Sequence, residues 1–161
     1  MKRFLSTSND PIATLARLVL GLVMLPHAAQ KVFGLFGGYG LQGTIGFMTG
    51  GLHMPLLLAY LAIAAEFLGA LGLIVGLAGR GAAFGIAAVM VGAMLTVHLP
   101  NGFFMNWGGT AKGEGFEYHI LAIALAVIVL VRGSGAWSLD RLLSREQVQA
   151  PVLAMELKKA A

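Results

Sequence analysis

The chain has 161 residues, 58% of them hydrophobic and 11% charged, with 23 glycines and a formal net charge of +4. A soluble domain carries about a quarter charged residues and a disordered chain is poor in apolar ones, so the composition excludes both and points to one membrane domain. There is no cysteine, which excludes disulfides, thiolate catalysis, Cys-ligated zinc and iron–sulfur clusters; the basic residues gather toward the chain's ends and read as topology signal, with no nucleic-acid partner implied.

The polar residues 1–10 end in Asp10-Pro11, an N-cap followed by the favoured first helical residue. An apolar run over 12–36 follows, longer than the ~20 residues a bilayer crossing needs. Lys2 and Arg3 ahead of it also fit a secretory signal peptide, but Arg17 inside the run and the apolar segments downstream argue for a retained span. Residues 34–53 hold eight glycines and read as a loop with a short interfacial stretch near 41–48. A second span over 55–77 ends at Gly79-Arg80-Gly81, so short a link that the third span, 82–99, must return as its antiparallel partner. Pro100-Asn101-Gly102 opens a polar, aromatic loop running to Gly115. The fourth segment, 116–134, has an apolar stretch of only twelve residues, 120–131, and crosses only if its flanks extend the helix.

The predicted architecture is all-α: an integral membrane four-helix bundle over 1–134, N-in and C-in, followed by a cytoplasmic tail over 135–161 forming a short amphipathic helix. Four crossings put Lys2, Arg3, Arg80, Arg132, Arg141, Arg145, Lys158 and Lys159 on one side of the lipid bilayer and leave only Lys31 and Lys112 on the other.

A charge at the centre of a span costs ~2.5–3.5 kcal/mol even on the mildest scale, so Arg17 and Glu66 should face the bundle interior. At 100° per residue, Arg17, His27 and Lys31 fall within an arc of roughly 80° on span one. The polar residues then outline a funnel: an outer rim of Lys31, His98, Asn101, Asn106, Glu117 and His119, with His27 and Glu66 below and Arg17 deeper. Glu66, His27 and His98 are the candidates for moving protons. Each has a plainer explanation: Arg17 can snorkel to headgroups, Glu66 can be half of a structural ion pair, and Trp107 and Trp137 suit interfacial belts. A haem between His27 and His98 rests on two histidines alone, which is weak support, and no metal-ligand cluster is read.

These residues also carry a resemblance. Arg17…Gly21…Pro26-His27…Lys31-Val-Phe-Gly, then Glu66-Phe-Leu-Gly, then His98-Leu-Pro-Asn101-Gly-Phe-Phe-Met-Asn106-Trp107 and Gly115-Phe-Glu117-Tyr118 resemble the DoxX family in order and spacing, over about 12 to 131. The resemblance implies a small four-helix, multi-pass protein of the bacterial inner (plasma) membrane. It also implies an association with oxidoreductases and quinones, since relatives include the membrane subunit of a thiosulfate:quinone oxidoreductase. The favoured function is therefore a redox-associated subunit holding a quinone or similar ligand in the funnel, with electrons coming from a partner protein or bound cofactor. The alternatives are a membrane scaffold that anchors a partner protein, and a small solute or proton transporter, for which a homo-oligomer could supply the pore.

Overall fold

The computed structural model describes residues 5–144, and among these it contains helices and loops without a strand. Helix α1 spans Pro11–Phe33. It starts where Asp10 accepts from the N–H groups of Ile12 (2.9 Å) and Ala13 (3.2 Å), and it stops at left-handed Gly34. The glycine-rich segment holds a short helix, α2 (Gly40–Gly46), which widens into a π turn over Phe47–Gly51. Helix α3 spans Leu56–Val75 and α4 spans Gly79–Ala93. Pro100 has no N–H to give back, and ahead of it α4 widens over Met94–His98, where the Leu99 N–H reaches the Met94 carbonyl. Helix α5 spans Glu117–Arg132, and a final helical segment covers 139–144.

Among the described residues, three helices are long and apolar enough to cross a membrane: Pro11–Phe33, Leu56–Val75 and the continuous stretch Gly79–Asn101. Helix α5, with 16 residues, rises about 24 Å, less than the ~30 Å hydrocarbon core. It nevertheless packs lengthwise, for α1 lies against α3 and α5, and α4 lies against the same two, closing a ring. The shared core is built from small and medium side chains, among them Ala16, Leu20, Ala70, Ile86, Ala122 and Ala126. Lipid supplies no hydrophobic drive between helices, so close backbone approach must hold them. Gly21 shows how: a Cβ there would lie 2.9 Å from Ile74 Cγ1 and 3.0 Å from the Ala70 carbonyl oxygen.

At the end of the bundle where α1 begins, called proximal below, charges cap every helix in the sense its dipole favours. Asp10 caps the start of α1 and accepts from Arg132 Nη1 at 2.7 Å. Arg80 donates to the Leu130 and Val131 carbonyls at the end of α5. Asp140, 2% exposed, accepts from the N–H groups of Ala78 (2.8 Å) and Gly79 (2.9 Å) and from Ser134 Oγ (2.5 Å), holding the start of α4 where Ala78 is left-handed (φ 49°). Residues 135–144 of the expected tail therefore pack against the bundle end, while the rest of it, with the expected amphipathic helix, lies outside the described residues.

Arg132 holds the Asp10 carboxyl below its ordinary value of 3.8. A carboxyl depressed on folding contributes stability that is complete above its unfolded value and disappears as pH falls through the folded one. Thermal melts of wild type and Asp10→Asn should thus differ above about pH 4 and converge below it; curves that stay parallel down to pH 3 would show that the ion pair is energetically silent.

Candidate functional site

Side chains on a helix lean toward its N-terminus, so Lys31, near the end of α1, points back into the bundle. Its Nζ meets Glu66 Oε1 at 2.6 Å. Glu66 lies on the α3 stripe that also buries Ala59, Ile63, Ala70 and Leu73. The pair is asymmetric: the Glu66 side chain is 1% exposed and that of Lys31 30%. The second carboxylate oxygen, Oε2, is buried and without a partner. An unmatched acceptor in such a place is costly, and it marks a position where a ligand or proton can be accommodated.

Next to this pair runs a strip of rings. His27 on α1 lies 5.8 Å from Tyr118 on α5, Tyr118 is 5.5 Å from its neighbour His119, and His119 is 4.1 Å from His98, all between ring centroids. His119 is 4% exposed and its Nδ1 has no partner. His98 Nδ1 lies 2.9 Å from the Glu114 carbonyl oxygen, so that nitrogen carries the proton and Nε2 is the basic one in the neutral ring. The Tyr118 hydroxyl donates to Met24 Sδ at 3.3 Å, a weak acceptor.

The structure thus gathers five of the candidates, His27, Lys31, Glu66, His98 and His119, between the middle of the bundle and its distal end. Asn101 reaches this group only through the Glu114 carbonyl, to which its amide donates at 3.2 Å. Asn106 and Glu117 serve the loop instead. Asn106 donates its backbone N–H to Glu114 Oε2 (2.6 Å) and bridges to Ala111 in both directions. Glu117 Oε1 accepts from the Met105 N–H (2.9 Å) and from the Trp107 indole (3.3 Å).

Arg17 is placed elsewhere. It is 2% exposed at the proximal end, so it neither joins the polar group nor snorkels. A guanidinium has five N–H donors, and five backbone carbonyls receive them: Leu73 (2.8 Å) and Ile74 (2.7 Å) at the end of α3, and Ser134 (2.7 Å), Ala136 (3.3 Å) and Trp137 (2.7 Å) in the loop after α5. Left-handed Gly76 admits that loop, since a Cβ there would run into Ser138. The arc shared with His27 and Lys31 holds in angle, but Arg17 lies ten residues, or about 15 Å of helix, from His27.

Tyr118 is the main residue that the candidate list lacks. A tyrosine at the start of a span suggests an interfacial belt, and only its contacts with His27 and Met24 on α1 reveal another place for it. Its ring also lines a groove of about 470 Å³ formed with Phe103, Met105, Trp107, Ile120 and Leu121, mostly apolar and bordered by Glu117.

Apolar helices of crossing length around a buried ion pair and a ring strip define a helical membrane protein with a polar site at one end. The chain belongs to the DoxX family, whose model matches residues 12–99. It is similar to a Bacillus subtilis (strain 168) protein named "Putative oxidoreductase CatD", with 28% identity over 126 residues that cover 78% of this chain and 82% of that protein. No solved structure matches it.

Proposed function

We propose that this protein binds a quinone-type ligand at the Lys31–Glu66 pair and handles the protons that accompany its redox change. The observation that carries this reading is the free Glu66 Oε2, buried beside a lysine, with His27 one helical turn before that lysine and in ring contact with Tyr118. Lys31 can donate to a carbonyl oxygen of the ligand, and Glu66 can accept from its hydroxyl after reduction. Reducing a quinone to its hydroquinone takes up two electrons and two protons. The chain carries no cysteine, so a redox partner protein or bound cofactor supplies the electrons. The histidine strip leads from the pair toward the loop at Glu114 and offers a proton route. The oxidoreductase name of the Bacillus subtilis relative supports the same class of chemistry.

In this reading the protein is multi-pass in the bacterial inner membrane. Helix α5 completes a fourth crossing with its flanks, and both termini face the cytoplasm, where Arg80, Arg132 and Arg141 lie. The test is equilibrium titration of the purified protein in nanodiscs with 2,3-dimethoxy-5-methylbenzoquinone. Wild type should bind saturably, and Glu66→Gln should weaken binding at least tenfold without changing the melting temperature. Equal affinity of the two proteins would sink the assignment of Glu66.

A further inference from the structure

Tyr118 belongs to two environments at once. Its ring contacts His27 and His119, members of the polar strip, and it also forms part of the wall of the apolar groove. The hydroxyl is engaged by a thioether, which a ligand carbonyl would displace as the better acceptor. The groove itself, about 470 Å³, is within the 300–1,000 Å³ range of small-molecule sites. Its walls are a loop and a helix face: Phe103, Met105 and Trp107 on one side, Ile120 and Leu121 on the other. Phe103, Ile120 and Leu121 are exposed, and on an apolar helix of a membrane protein such a face looks onto lipid. Trp107, 87% exposed, suits the membrane interface, which sets the groove at headgroup depth. Glu117 fixes the loop wall by holding the Met105 N–H and the Trp107 indole on one oxygen.

A groove with apolar sides, open toward lipid and bordered by a phenol that touches the histidine strip, suits a single-chain amphipath with an oxygen-bearing aromatic head. We infer that this groove is the lateral port of the site. The isoprenoid or alkyl chain of the quinone-type ligand lies along Phe103, Ile120 and Leu121, and Tyr118 turns its hydroxyl from Met24 to the head's carbonyl oxygen. This assignment rests on the quinone reading above and adds the place of the tail, the donor to the head and the direction of entry.

The experiment compares the tail-less 2,3-dimethoxy-5-methylbenzoquinone with its 6-decyl derivative, titrated in nanodiscs of the same lipid. In wild type the decyl chain should raise affinity at least tenfold after correction for partitioning. Ile120→Trp and Leu121→Trp, two independent ways of filling the groove, should bring that ratio close to one. Val127→Trp, on a part of α5 outside the groove, should keep the wild-type ratio. Tyr118→Phe should weaken both compounds by a similar factor and leave the ratio intact. If the ratio is unchanged in both groove-filling variants, the chain lies in bulk lipid and the port is wrong, although the quinone reading stands. Saturable binding of the tail-less compound with no gain from the chain in wild type has the same consequence. Failure of both compounds to bind wild type overturns the port and the proposed function together.

Discussion

Arg17→Ala should be the most destabilising single substitution in the described chain, costing about 3–5 kcal/mol. The change removes no large apolar surface; its effect comes from leaving carbonyls of Leu73, Ile74, Ser134, Ala136 and Trp137 without their donors in a place that is 2% exposed. Each unmatched buried acceptor costs about 1–3 kcal/mol, and relaxation at the bundle end recovers part of the sum. The Ala136 carbonyl retains the Thr14 hydroxyl at 2.8 Å, which limits the loss there. A melting temperature lower by more than about 10 °C in detergent, together with protease cutting after α5, is the expected readout. Arg17→Lys should fall between, because one ammonium keeps the charge but cannot serve both the end of α3 and the 134–137 loop. A site role for Arg17 would give the opposite pattern, with binding lost and melting unchanged.

The same residue shows what was legible in the sequence and what was not. Apolar length and the Asp10-Pro11 start signal located α1 to within a few residues, because spans and caps are local properties. That a carboxylate in the middle of α3 needs a partner was legible, but which cation supplies it was not: Lys31 reads as a rim residue above Glu66, and only the structure brings the two to 2.6 Å. Helical angle, however, says nothing about depth. Arg17 and Lys31 share an arc but lie fourteen residues apart, about 21 Å along the axis, and so serve opposite ends of the bundle. The partners of Arg17 are main-chain carbonyls up to 120 positions away, which no side-chain pattern encodes. Asn106 and Glu117 lie apart from the gathered group for a related reason: a polar loop satisfies its own N–H groups first, and Met105, Trp107 and Ala111 take up those side chains. Tyr118 carries no signal of its own in the sequence, because a phenol at a span end suits an interface and a site equally well.

The Lys31–Glu66 pair allows stability and function to be separated in one cycle. Lys31→Met leaves the Glu66 carboxylate buried with neither oxygen bonded, and should cost about 3–5 kcal/mol. Glu66→Leu leaves a lysine that is already 30% exposed and can turn toward water, so its cost should be smaller, about 1 kcal/mol. The double variant Lys31→Met/Glu66→Leu removes both charges and should melt close to wild type, because a buried pair replaced by apolar groups of similar volume is often neutral. Ligand affinity should not follow that recovery: it should be lost in Lys31→Met, in Glu66→Leu and in the double variant alike. Melting curves and quinone titrations on the same four proteins read out both quantities. If binding returns with stability in the double variant, the pair only fixes the helices, and the ligand's polar contacts must be sought at His27, Tyr118 and His119 instead. If stability returns alone, the pair is kept for what it binds, at a stability that an apolar pair would match.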